Sequence, residues 1–182
     1  LYIDLASGYM RMGGSALSQV LKNDDTECPK VENVIQIKKF FDLIQELISE
    51  NKILAYHDKS DGGLITTLCE LCFSSHIGLN INYNGVNEEL IEHMFNEELG
   101  AVIQVKNHFL EEIRDKFMNN EIQFSTIGSL NQSYDLRIIH EGKEIYKESL
   151  EYLHKTWHRT SYEIQKIRDN KVTSENEFKY IG

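Results

Sequence analysis

The stretch Ile53-Leu-Ala-Tyr-His-Asp-Lys-Ser-Asp-Gly-Gly-Leu-Ile-Thr-Thr-Leu68 places a short apolar strand, a polar turn and the start of a helix in one window. No other window sets so many reactive groups beside so much apolar sequence. A helix start leaves its first N–H groups without partners and carries partial positive charge, so a loop of this kind is an anion site in principle. The alternative is a capped turn. Asp61 before Gly62-Gly63 has the residue type of a helix cap, and Asp58 that of a local turn former.

Two details weigh toward a site. The glycine pair leaves the helix start without side chains, so a ligand has room near its N–H groups. Asp58 falls at the carboxyl end of a strand read as buried, where ligands commonly bind in sheet proteins. A carboxylate repels a phosphate but holds one through a divalent cation. Magnesium takes one or two protein carboxylates and leaves its other positions to water and phosphate oxygens. Asp58 as metal ligand, with Ser60 near the phosphates, is a coherent arrangement. It is not a P-loop, because the Gly-x-x-x-x-Gly-Lys-Ser/Thr spacing is missing. On residue chemistry alone, site and capped turn both stand.

Around this stretch the pattern alternates strands and helices. Leu1–Ala6 reads as a strand, and the glycine-punctuated turn Gly8–Gly14 leads to a short helix capped by Ser15. Lys22–Lys30 is a polar loop. Val34–Glu50 is the clearest helix, with Ile37, Phe40, Phe41, Ile44, Leu47 and Ile48 expected on one face. The helix after the central turn reaches about Phe73, and Leu79–Tyr83 alternates as a strand. Glu89–Asn96 is a short helix with Ile91, Met94 and Phe95 inward. Leu99–Val105 is an apolar strand expected at the centre of its sheet. His108–Met118 is a helix and Glu121–Ile127 a strand. Tyr134–His140 and Lys143–Tyr146 flank the hairpin turn Glu141-Gly142. A last helix is expected over Ser149–Arg168, and Asp169–Gly182 as a linker or frayed end. The pattern predicts an α+β fold with a mixed β-sheet covered by helices, without saying which strands pair. The expected organisation is an α/β domain over 1–148 and a helix with linker over 149–182.

The net charge of −10 argues against non-specific nucleic-acid binding, which needs a basic footprint. No apolar run is long enough to span a bilayer. The three cysteines, Cys28, Cys69 and Cys72, suit a reducing cytoplasm better than a disulfide framework. Cys69-Glu-Leu-Cys72 has redox or zinc spacing. Yet the pair lies late in its helix and continues the stripe of Leu64, Ile65 and Leu68, which favours buried structural thiols and no zinc. Phe95-Asn-Glu-Glu-Leu-Gly100 reads as a solvated turn, with a metal role as the alternative. His57 is the only one of seven histidines beside the central turn. No paired nucleophile and base stands out. The first residue is not Met and lies within an apolar run, so the chain is expected to be a piece of a longer one.

His57-Asp-Lys-Ser-Asp-Gly-Gly-Leu64 resembles the His-Asp-x-Ser-Asp-Gly-Gly-Leu signature of C-terminal domains in the aminoimidazole ribonucleotide synthetase superfamily. Phe95-Asn-Glu-Glu-Leu-Gly-Ala-Val102 resembles a second signature of those domains, and Leu1-Tyr-Ile-Asp-Leu with Gly13-Gly-Ser-Ala-Leu17 resembles their opening. Trp157-His-Arg-Thr-Ser-Tyr with Gln165-Lys-Ile-Arg-Asp-Asn170 looks like the segment leading to the glutaminase domain of one large, single-chain member.

The resemblance implies a three-layer α+β arrangement. It also implies, for the full-length chain, an ATP-dependent carbon–nitrogen ligase of purine biosynthesis. That enzyme converts formylglycinamide ribonucleotide, glutamine and ATP to formylglycinamidine ribonucleotide, glutamate, ADP and phosphate. This piece resembles the C-terminal synthetase-type domain of its second half. By motif position Asp58 is a magnesium ligand and Ser60 an ATP- or ADP-binding residue, with no catalytic residue on this piece, which is expected to be inactive alone. The implied partners are the remaining synthetase and glutaminase domains and a nucleotide, with no nucleic acid and no membrane, in the cytoplasm. The alternatives are a structural domain holding a non-catalytic nucleotide and another ATP-using member of the superfamily.

Overall fold

The computed structural model describes residues 1–23 and 27–181. Residues 24–26, inside the expected Lys22–Lys30 loop, and residue 182, at the end of the expected linker, lie outside the described residues. The chain divides into two compact units, Leu1–Leu68 with Gly85–Ile127, and Cys69–Asn84 with Gly128–Gly182.

The first unit is built on an antiparallel sheet. Its strands are β1 (Tyr2–Asp4), β2 (Ile53–Asp58), β4 (Gly100–Val105) and β5 (Gln123–Ser125), in the order β2-β4-β1-β5. The apolar run of β4 sits inside the sheet between β2 and β1, as expected. Helices α2 (Val34–Ser49) and α5 (Leu110–Asn119) pack on this sheet. Their Phe40, Leu43, Ile44, Leu47, Ile113 and Phe117 meet Ile3, Leu5, Ala101 and Ile103 in one core. Burying each of these large side chains contributes roughly 1.5–3 kcal/mol. Asn33 starts α2 by accepting from the N–H groups of Ile35 and Gln36.

Three expectations are corrected in this unit. The buried face of α2 is narrower than expected: Phe41 and Ile48 are 59% and 45% exposed, while Leu43 belongs to the core. A helix on one side of a sheet buries only a narrow stripe, here centred on Phe40, Ile44 and Leu47. Likewise β2 is not a buried strand. It lies at the sheet edge and alternates, with Leu54 and Tyr56 facing out. The short helix α4 (Leu90–Phe95) buries Met94, but Ile91 is exposed. Helix α1 (Ala16–Leu21) is capped by Ser15 as expected.

The second unit carries the mixed sheet, β6 (Gly128–Asn131), β3 (Gly78–Tyr83), β7 (Asp135–His140) and β8 (Lys143–Ser149), in the order β6-β3-β7-β8. Only β3 and β7 run parallel. Glu141 and Gly142, with φ of 48° and 76°, make the two-residue hairpin turn between β7 and β8. Helix α6 (Leu150–Arg168) is capped by Ser149, and its His154 stacks on Phe73 with ring centroids 4.4 Å apart. Phe73 lies in the latter half of helix α3 (Gly63–Ser75). The tail after Asp169 is a second helix, α7 (Lys171–Lys179), rather than a frayed end. Asn170 caps it, and Phe178 stacks on Tyr162 at 4.1 Å between centroids. Among the described residues, no helix is long and apolar enough to cross a membrane.

Candidate functional site

The in–out alternation of β2 runs on into the turn. Ala55 and His57 face inward, Tyr56 and Asp58 outward; Lys59 is then buried and Ser60 exposed. Lys59 N–H continues the ladder by donating to the Gly100 carbonyl at 2.8 Å. The two residues predicted to meet a ligand are therefore both exposed, flanking a buried one, with the Asp58 side chain 72% exposed. His57 is half-buried, its Nδ1 2.7 Å from the Asp58 carbonyl oxygen.

The turn itself closes by Gly63 N–H donating to the Ser60 carbonyl at 2.9 Å, with Gly62 at φ +82°. That is the position and sign a type II turn requires of its third residue. Gly63 follows at φ +71°, and a Cβ there would lie 2.7 Å from the Phe95 carbonyl carbon and 2.8 Å from the carbonyl oxygens of Met94 and Asn96. The glycine pair thus lets the start of α3 press against the second motif. Gly62 N–H donates to Glu97 Oε1 at 2.8 Å. The N–H groups of Gly62 and Gly63 are therefore taken up by protein acceptors at the approach to the helix. Asp61 is exposed and, among the described residues, its carboxylate accepts no hydrogen bond from the helix start.

Beneath the turn lies a polar cluster within the same unit. Lys59 Nζ donates to Asn96 Oδ1 at 2.6 Å and to the Tyr2 hydroxyl at 3.0 Å. Burial pulls its pKa down to about 8, against the pull of the Asp4 and Glu98 charges. Burial also pushes the Tyr2 phenol well up, with Asp4 and Glu98 adding to it. His93 stands edge-on to Tyr2, and burial and then the Lys59 charge hold its pKa down. Asn96 spends its amide on the carbonyls of Glu92 and His93. Glu98 is fully buried and takes Arg11 in a forked pair: Nε meets Oε1, and Nη2 meets Oε2 at 2.9 Å. Arg11 Nη1 reaches Glu32 at 2.6 Å. The hydrogen bond to Glu98 is the largest cause holding the guanidinium pKa above its usual value.

The segment Asn96-Glu-Glu98, expected as a solvated turn, is therefore an internal brace. Asn96 and Glu98 are 2% and 0% exposed. Glu97 Oε1 accepts from both Gly62 and Ala16 N–H groups at 2.8 Å, tying the central turn to the start of α1. Buried polar groups of this kind must be satisfied or they destabilise the fold, and here each has its partners. Sequence reasoning missed the parts played by Lys59, Tyr2, Arg11 and Asn96. No common signal marks them, and pairing across 37 to 87 positions is invisible in one sequence.

Among the described residues, no group of three or more His, Cys, Asp or Glu side chains could hold a metal ion. Asp58, exposed at the strand end, has the donor chemistry to offer one carboxylate to a magnesium ion. Cys69 and Cys72 are buried, their thiols pushed up to about 12 and about 11 chiefly by burial, the setting of structural thiols.

The family model "AIR synthase related protein, C-terminal domain" matches residues 5–141. The chain belongs to this family. The match takes in the glycine-punctuated opening, the central turn and the brace. Phosphoribosylformylglycinamidine synthase of Schizosaccharomyces pombe is 39% identical over 186 aligned residues, covering 100% of this chain and 14% of that protein. The chain thus spans about one-seventh of the length of that relative. Among solved structures, PurL of Thermotoga maritima complexed with ADP shares the fold at a TM-score of 0.63 and 12% identity, covering 84% of this chain and 24% of that one. The same protein complexed with ATP gives 0.61 and 14%, covering 68% of this chain and 22% of that one. These likenesses agree with the α+β reading of an AIR synthase-type domain.

Proposed function

We propose that the chain is the C-terminal synthetase-type domain of a phosphoribosylformylglycinamidine synthase. In this reading the full-length enzyme makes formylglycinamidine ribonucleotide from formylglycinamide ribonucleotide, glutamine and ATP. The domain adds Asp58 and Ser60 to a magnesium–nucleotide site, and its partners are the other synthetase and glutaminase domains, in the cytoplasm. The observation that carries the reading is the 39% identity running along the whole chain. The outward pairing of Asp58 and Ser60 on a braced turn supports the site assignment.

The chain's own residues have limited parts. Asp58 offers a carboxylate oxygen to the cation, and the edge position of β2 leaves it free of the core. Ser60 donates its hydroxyl to a phosphate oxygen. Lys59, buried and paired, is turned away from the ligand. Magnesium, when bound, neutralises phosphate charge and fixes the geometry of the nucleotide. No residue of this chain is assigned to bond making, so the chain alone is not a synthetase. Asp58→Asn in the full-length enzyme tests the site: retained magnesium and nucleotide fall if the assignment holds and stay unchanged if it does not.

A further inference from the structure

We infer that Lys59 is a positioning residue, whose ammonium, clamped between Tyr2 and Asn96, sets the direction in which Asp58 and Ser60 face their ligand. The inference rests on the reading of Asp58 and Ser60 as ligand-binding residues. It adds a role for the residue between them, which itself points away.

Along extended backbone, successive side chains take opposite sides. One anchored residue therefore fixes the side of both its neighbours. Lys59 is such an anchor, being 6% exposed with Asp58 and Ser60 exposed on either flank. Its ammonium joins three segments: the end of β2, β1 through the Tyr2 hydroxyl at 3.0 Å, and the brace through Asn96 at 2.6 Å. It also lies 5.3 Å from the centre of the Tyr2 ring. An apolar side chain would fill the same space without the desolvation cost of a charge. What the ammonium adds is directional bonding. Asn96 is itself fixed, since its Oδ1 also accepts from Glu98 N–H and its amide is bound on both sides. The clamp thus passes the rigidity of the brace to the strand end. On the far side of the turn, Glu97 holds Gly62, so the segment 59–62 is secured at both ends while Asp58 and Ser60 remain outward. Groups that orient a metal ligand from behind typically matter by about 10–100-fold in affinity.

The test is a double-mutant cycle in the full-length enzyme, with magnesium–ADP affinity read by calorimetry. Lys59→Met keeps the length of the side chain and removes its charge. It is expected to weaken binding about tenfold, and to have a clearly smaller effect in an Asp58→Asn background, where only Ser60 is left to position. A merely structural role would lower affinity equally in both backgrounds, which overturns the inference. Wild-type affinity in Lys59→Met, with weakened binding in Asp58→Asn, overturns it while leaving the site reading intact. Wild-type affinity in Asp58→Asn overturns both. Should Lys59→Met not fold, Tyr2→Phe takes its place, removing one of the two acceptors without changing volume. A loss that shrinks in the Asp58→Asn background supports the inference, and unchanged affinity overturns it.

Discussion

Gly63 gives the clearest quantitative test of how the two motifs are joined. Substituting Ala has two costs. The first is conformational: φ at this position is +71°, in the left-handed region, where an L-residue with a Cβ costs about 1–2 kcal/mol. The second is steric. The new Cβ would stand 2.7 Å from the Phe95 carbonyl carbon and 2.8 Å from two carbonyl oxygens, all of them backbone atoms that no rotamer change can clear. Overpacking of this kind costs about 1–3 kcal/mol. The sum is about 2–5 kcal/mol. Gly8 supplies the control within the same unit: its φ is +82°, but nothing lies within 4 Å of a Cβ there. Gly8→Ala therefore carries only the first cost. Urea unfolding followed by circular dichroism should rank wild type above Gly8→Ala and Gly8→Ala above Gly63→Ala, the last two separated by about 1–3 kcal/mol. Equal midpoints for the two variants would refute the close backbone packing of the turn on the brace.

Stability should also fall in mild acid. His93 and His154 both have lowered pKa values, chiefly from burial, so the unfolded chain takes up these protons first as pH drops. The contribution of the neutral rings is complete above the unfolded value of about 6.5 and is lost as pH falls below it. Melting temperatures at pH 7.5 and 5.0 check this, and a flat profile would contradict it. Thiol labelling should separate the cysteines. Exposed Cys28 reacts in the native protein, whereas Cys69 and Cys72 react only after unfolding; native labelling of all three would count against the buried pair.

Much of this architecture was legible because it is local. The Ser15 cap, the amphipathic core of α2 and the Glu141-Gly142 hairpin each depend on residues a few positions apart. The errors arise where non-local packing decides. Strand β6 is Gly-Ser-Leu-Asn, poor in strand-forming residues, and exists because its backbone lies close along β3. A Cβ on Gly128 would sit 2.2 Å from the Asn80 carbonyl oxygen. Helix α7 is polar with only a weak apolar stripe, so only its Asn170 cap and the Phe178–Tyr162 stack mark it. At the site, the residues proposed to meet ligand were visible in the central motif. The brace behind them was not, because a buried Glu98–Arg11 pair and a solvated acidic turn look alike until the strands are paired.

The proposed role of Asp58 as a ligand of a magnesium–nucleotide site is tested directly by one measurement. The full-length enzyme and its Asp58→Asn variant are purified in parallel, and bound nucleotide and magnesium are quantified per chain. The expected result is a loss of magnesium together with nucleotide in the variant, with the fold intact by circular dichroism. Equal magnesium and nucleotide in the two proteins would contradict it.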